Sequence, residues 1–181
     1  MVKEPKKGVM HARQKGYTES QGDIVAFVDA DNVVPSGWIQ KIEQSFAEDP
    51  SLAFICGPYR YGDLSAWQNA LAKIYWSALV WLVWKALGYV GNFGNMAIRR
   101  CVLEKMGGLD TSISFYGDDT NTARRAAKFG KALYDLSLVV ESSGRRFMKQ
   151  GLLRTTFTYA INFFSQVIFR RSVSTTYTDY R

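Results

Sequence analysis

Histidine is nearly absent: the 181 residues hold one, His11. Cysteine is scarce as well, with Cys56 and Cys101 far apart and in no CxxC pair. This argues against a Cys/His zinc site, and two separated cysteines suit a reducing compartment. No GxGxxG, Walker A, HExxH or GxSxG pattern occurs, so the motif signatures of dinucleotide binding, P-loops, zinc proteases and serine hydrolases are missing. Internal repeats and low-complexity tracts are also missing. The first seven residues are charged and lack the apolar stretch of a secretory signal. Apolar runs are short. Residues 74–84 lie uncharged between Lys73 and Lys85, and residues 155–169 between Arg154 and Arg170. These runs of 11 and 15 residues fall short of the roughly 20 needed to cross a bilayer, although either suits a membrane surface.

What is present is the material of one globular domain. Hydrophobic residues make up 47% and charged residues 22%, enough to bury a sizeable core. A net charge of +7 and a pI near 9.4 favour anionic partners such as nucleotide diphosphates or an acidic membrane face. The cations are spread along the chain and not gathered in one stripe, which speaks against nucleic acid.

Helix and strand signals alternate through most of the chain, the pattern of an α/β sheet with helices on its faces. Residues 9–21 read as a helix. Residues 24–28 and 52–56 are continuous apolar runs of strand length, fitting strands buried on both faces. Between them a helix opens at Pro35-Ser36, with Ser36 as N-cap and Trp38, Ile42 and Phe46 as a core face. Residues 64–88 read as an apolar helix, with core packing the default. A strand at residues 96–98 and a helix at 101–106 follow, ended by Gly107-Gly108. A helix from Thr120 to Phe129 has Gly130 at its left-handed cap. Residues 133–140 read as one strand. The final helix, from Leu152 to Phe169, puts Phe157, Ile161, Phe164 and Ile168 on one face.

Three stretches carry chemistry. Asp29-Ala30-Asp31 places two carboxylates at the end of a buried strand, where open α/β sheets bind ligands. Hard oxygen donors there suit Mg²⁺ or Mn²⁺ bridging to phosphate. Alone, an Asp-x-Asp is equally a solvated turn. Gly117-Asp118-Asp119, with Phe115-Tyr116 before it, sets two acids at a helix start. One acid is explained as a helix cap; the second suits a general base, for which a chain with one histidine has few candidates. The loop of residues 91–95 has glycines that let backbone approach a ligand, and is otherwise a plain turn.

These pieces, in this order, resemble the family 2 glycosyltransferases of GT-A fold. The resemblance rests on residues 12–17 and 22–31, on Gly94-Asn95-Met96-Ala97-Ile98-Arg99-Arg100, on Gly107-Gly108-Leu109-Asp110 and on Gly117-Asp118-Asp119-Thr120-Asn121, within roughly residues 8–150. It implies an inverting, metal-assisted transfer of a sugar from a nucleotide-diphosphate donor to an acceptor hydroxyl. Asp29 would face the ribose, Asp31 the Mn²⁺ or Mg²⁺, and Arg13 the diphosphate. Gly94 and Asn95 would lie beside donor sugar and acceptor. Asp119 would be the base, with Asp118 where Glu is more usual. Ser143-Gly144-Arg145-Arg146-Phe147 stands where processive relatives have Gln-x-x-Arg-Trp, which argues against a processive synthase and leaves Arg145 and Arg146 for the diphosphate.

The resemblance also implies a mixed, mostly parallel sheet flanked by helices and lacking the first βαβ segment, so that residues 1–150 form the C-terminal portion of the catalytic domain. Residues 151–181 then form a helical extension that packs on the domain or on a membrane. The expected partners are a nucleotide-sugar donor, a saccharide or lipid-linked acceptor and a peripheral membrane contact. The expected location is the cytoplasm, at the inner face of the membrane. Two other readings stand beside this one: a non-catalytic or carbohydrate-binding fragment, and a membrane-surface protein acting through its basic charge.

Overall fold

The computed structural model describes residues 3–113, 116–171 and 173. Phe115, read above as part of the acidic loop, lies outside them. In chain order the elements are α1 Val9–Glu19, β1 Ile24–Val28, α2 Trp38–Glu48, β2 Leu52–Cys56, β3 Tyr59–Tyr61 and α3 Ala66–Ile74. A π-helical turn at Tyr75–Val80 leads into α4 Trp81–Leu87. Then come β4 Asn95–Arg99, α5 Arg100–Lys105, α6 Asp118–Ala126, β5 Lys131–Tyr134, β6 Val140–Ser142, α7 Arg145–Gln150 and α8 Leu152–Phe169.

The main sheet has the order β1-β4-β2-β5. β4 runs antiparallel to both neighbours, while β2 and β5 are parallel. Three of four strands therefore point the same way, in a mixed sheet. β2 and most of β4 are buried on both faces, as apolar runs require. β1 is not: it is an edge strand, Val25 and Phe27 face the core, and Ala26 and Val28 are exposed. One core cluster joins Met10, Phe27, Phe54, Met96, Ile98 and Leu103. The other joins Trp38, Ile42 and Phe46 of α2 to Ile55, Ala97 and Leu138.

Several local expectations are corrected. The cap of α2 is Gly37, at φ 83°, with no side-chain cap bond from Ser36. Gly130 is not left-handed; glycine is needed there because a Cβ would stand 2.6 Å from the Ser51 carbonyl oxygen. The strand expected at residues 133–140 is two short ones. An Asp135 turn, its Oδ1 accepting from the Ser137 amide (2.8 Å) and hydroxyl (2.6 Å), separates β5 from β6. β6 pairs in parallel with β3, a strand the sequence did not announce.

The largest correction concerns α3 to α4. Lys73 and Lys85 lie inside one continuous helix, so Ala66–Leu87 reaches 22 residues and is long and apolar enough, by length and composition, to cross a membrane. It is not a core helix. Trp76, Val80, Trp81 and Trp84 pack inward, but Trp67, Leu71, Ile74, Leu79 and Leu82 are exposed. Two bonds tie it to β5: Trp84 Nε1 donates to the Ala132 carbonyl (2.9 Å), and the Tyr134 hydroxyl donates to the Trp76 carbonyl within the π turn (3.1 Å).

Candidate active site

Because β4 runs against β1, the start of β4 lies beside the end of β1: Val28 sits opposite Asn95. The loop before β4 thereby meets the Asp29-Ala30-Asp31 turn. The Asn32 amide donates to the Gly94 carbonyl at 2.8 Å. A Cβ on Gly94 would stand 2.6 Å from Asp29 Oδ2 and 2.7 Å from Asn32 Nδ2, and against the Tyr59 hydroxyl. Here glycine is required by space, and any side chain would displace Asp29.

Arg13, on α1, joins the two acidic motifs. Its Nη2 bonds Asp29 Oδ1 at 2.7 Å and its Nη1 bonds Asp118 Oδ2 at 2.7 Å. The guanidinium lies 4.3 Å from the centre of the Phe93 ring, a cation–π contact that fixes its plane. Asp118 and Asp119 form the first turn of α6, which Gly117 opens at φ 81°. The free N–H groups of that turn favour negative charge. Burial works the other way. It raises both carboxyls above the usual aspartate range, and Asp118 is pushed up to about 7 by burial and by the Asp119 charge, against the pull of Arg13. One guanidinium, shared with Asp29, does not neutralise two adjacent buried acids. Asp119 Oδ1 accepts from the Thr120 amide at 2.7 Å, and among the described residues no cation pairs with it.

A stability consequence follows. Between the ordinary aspartate pKa near 4 and about 7, the folded chain keeps a proton on this pair that the unfolded chain has lost. Stability is expected to fall as pH rises across that window and to level off above it. Denaturant midpoints at pH 4.5, 6 and 7.5 check this, and Asp118→Asn is expected to flatten the slope.

Asp31 has a different partner. Val33 and Glu141 exchange backbone bonds of 2.8 and 3.0 Å, which holds the acidic turn beside the end of β6. Three residues on, Arg145 Nη2 reaches Asp31 Oδ2 at 2.9 Å. Asp63 positions that segment, accepting from the Gly144 amide (2.6 Å) and the Ser143 hydroxyl (2.7 Å). Burial opposes ionisation of Asp63, but these bonds outweigh it and lower its pKa. A cleft of about 250 Å³ opens here, lined by Asp31, Val33, Asp63, Glu141 and Ser143. Another cleft, about 260 Å³ beside Ser45, Asp49 and Trp84, shares no residue with it.

Not every residue singled out from the sequence faces this site. Asn95 is wholly buried, and its amide is engaged: Oδ1 accepts from Trp38 Nε1 (3.0 Å), and Nδ2 donates to the carbonyls of Leu138 (2.6 Å) and Pro58 (3.2 Å). It locks three loops together and is not placed as a ligand. Arg146 turns to Tyr159, donating to its hydroxyl at 2.9 Å. Arg99 and Arg100, within the motif-bearing stretch, bond main-chain carbonyls at Leu52, Phe46 and Gly22. Tyr59 and Asp63 were missed. Tyr59 is half-buried beside the Asp29 turn, and burial and the Asp29 charge raise its pKa. Alternation in Tyr59-Arg60-Tyr61 was the available signal for a strand there.

The model of Glycosyl transferase family 2 matches residues 1–107, more than half of the chain. The chain belongs to glycosyl transferase family 2. The family match takes in Arg13, Asp29, Asp31 and Gly94; Asp118, Asp119 and Arg145 lie beyond it. A curated family relative, the probable glycosyltransferase YdaM of Bacillus subtilis (strain 168), is 26% identical over 132 residues, covering 68% of this chain and 30% of its own. Among solved structures, the mannosyltransferase PcManGT of Pyrobaculum calidifontis, in complex with GDP-Man and Mn²⁺, aligns with a TM-score of 0.63 at 21% identity, over 90% of this chain and 44% of its own. S. aureus TarS, residues 1–349, aligns with a TM-score of 0.54 at 9% identity, over 90% and 52%. At these identities the likeness shows the fold, which is GT-A. The chain spans a third to a half of the length of these proteins.

Proposed function

We propose that this family 2 chain carries the reacting groups of an inverting transfer of a sugar from a nucleotide-diphosphate donor to an acceptor hydroxyl, on a saccharide or a lipid-linked saccharide. The observation that carries this reading is Arg13, which bonds Asp29 and Asp118 at 2.7 Å each and so draws the two acidic motifs into one cluster. A donor beside Asp29 and an acceptor beside Asp119 would then lie within a single site.

Asp29 and Asp31 are both part-exposed, hard oxygen donors. Among the described residues no third acid, cysteine or histidine completes a cage around them. That donor set fits Mg²⁺ or Mn²⁺ arriving with a diphosphate, since such ions take one or two carboxylates and fill the remaining positions with phosphate oxygens and water. When bound, the ion would offset the charge that develops on the leaving diphosphate. The chain's own residues do the rest. Arg145, paired with Asp31, would exchange that carboxylate for a diphosphate oxygen. Arg13 keeps one acid of the pair occupied, leaving Asp119 to accept the acceptor's proton. Attack from that side in a single displacement inverts the anomeric centre.

Calorimetry with UDP and GDP, with and without Mn²⁺, tests the reading. Metal-dependent binding is expected for one nucleotide, lost at least about tenfold in Asp31→Ala. Binding indifferent to both the metal and the substitution, in the chain at the full length of its relatives, would overturn it.

A further inference from the structure

The polar and apolar sides of α8 are reversed with respect to the domain it packs on. Thr155, Asn162, Ser165 and Gln166 are buried, against at most 6% exposure each. Phe157, Ile161, Phe164 and Ile168, at 38% to 68% exposure, form the outward face. Their spacing of four, three and four residues keeps them on one stripe of the helix. Three of these inward polar residues bond to nearby main-chain carbonyls. The Thr155 hydroxyl donates to the Gly151 carbonyl (2.9 Å), the Asn162 amide to the Thr158 carbonyl (2.8 Å) and the Ser165 hydroxyl to the Arg171 carbonyl (2.6 Å). A helix whose outer stripe is aromatic and aliphatic is arranged for an apolar medium on that side.

Charge decides which medium. From Ser142 to Val173 the chain has Arg145, Arg146, Lys149, Arg154, Arg170 and Arg171, and no acid. Arg154 stands at one end of the stripe and Arg170-Arg171 at the other, all exposed. Sixteen residues of helix separate those ends by about 24 Å. Long cationic side chains at both ends of an apolar stripe can lay their stems along it and hold their heads at phosphate level. A second copy of the same face would bring cation against cation. The exposed side of α3 to α4 has the same composition, with Lys73 and Lys85 and no acid between Leu64 and Val102.

We propose that α8 lies in the plane of an anionic lipid bilayer, with Phe157, Ile161, Phe164 and Ile168 in the acyl boundary and Arg154, Arg170 and Arg171 on the lipid phosphates. This stands apart from the catalytic reading. α8 does, however, pack on α6, the helix of Asp118 and Asp119, and Tyr159 meets Tyr116 edge-on at 5.9 Å. The membrane therefore lies on the acidic pair's flank of the molecule.

Vesicle flotation of the whole chain tests the proposal. The probes are phosphatidylcholine vesicles with about one-third phosphatidylglycerol, and phosphatidylcholine alone. Flotation is expected with the anionic vesicles and at least about tenfold less with the neutral ones. Phe157→Ser with Phe164→Ser, and separately Arg170→Glu with Arg171→Glu, are each expected to lower it at least about tenfold. The arginine pair is exposed, so that variant reads the charge effect even where the serine variant folds poorly. No flotation, equal flotation with both lipids, or flotation unmoved by both variants would overturn the proposal. So would light scattering that shows a stable dimer abolished by the serine variant, since the stripe would then be a contact between copies.

Discussion

Asp119→Asn is expected to lower sugar transfer by about 10² to 10⁴-fold, the usual worth of a positioned general base, while nucleotide binding stays within about twofold. The asymmetry comes from Arg13. Asp118 is bonded by that guanidinium at 2.7 Å, and Asp119 is not. The Thr120 amide holds Asp119 Oδ1 and so orients the carboxylate without neutralising it. Burial raises the affinity of the pair for a proton, so the base is a stronger one than free aspartate. In the unsubstituted chain the rate should rise with pH through a midpoint above the usual aspartate range. Single-turnover release of nucleoside diphosphate, with the donor that calorimetry selects, measures both effects. Equal loss of nucleotide binding in Asp119→Asn would assign the residue to donor binding instead.

Asn95→Ala is expected to cost about 3 to 5 kcal/mol of folding stability, much of the roughly 5 to 15 kcal/mol a domain of this kind has. The substitution strands the Trp38 indole N–H and the carbonyls of Pro58 and Leu138, all bonded to this one amide. Buried groups left without partners cost about 1 to 3 kcal/mol each. Urea denaturation read by tryptophan fluorescence checks it. A residue that served the donor would show the opposite pattern, with weakened nucleotide binding and an unmoved midpoint.

Asn95 also marks how far the sequence could be read. α1, β1, β2, the core face of α2 and the bounds of α8 follow from local periodicity, and the structure has them. The acidic motifs were legible because each stands at the end of an element that the local pattern shows, β1 for the first and α6 for the second. The partners of those motifs were not legible, because they are set by pairings distant along the chain. Antiparallel β4 brings Gly94 to Asp29, and the Val33–Glu141 pairing brings Arg145 to Asp31. β3 and β6 have three residues each, too few for a period to show. The exposure of residues 66–87 was missed for another reason: composition records that a helix is apolar without recording which neighbours cover it. Part of the stretch on which the resemblance rests, at Asn95, Arg99 and Arg100, proves to hold loops and strand ends in place.

The π turn at Tyr75–Val80 has a consequence for how this helix tolerates changes in length. A π turn closes its hydrogen bonds one residue later than an α turn and so holds one residue more. The helix before it presents Trp67, Leu71 and Ile74 outward, and the helix after it turns Trp81 and Trp84 inward. Removing one residue within the turn would restore α geometry and leave the two flanking helices on the faces they now hold. The Trp84 indole would keep the Ala132 carbonyl, whereas removing a residue from the regular helix before the turn would rotate it away by about 100°. The turn is thus the one place in this helix where a single deletion is absorbed locally instead of turning half the helix about its axis.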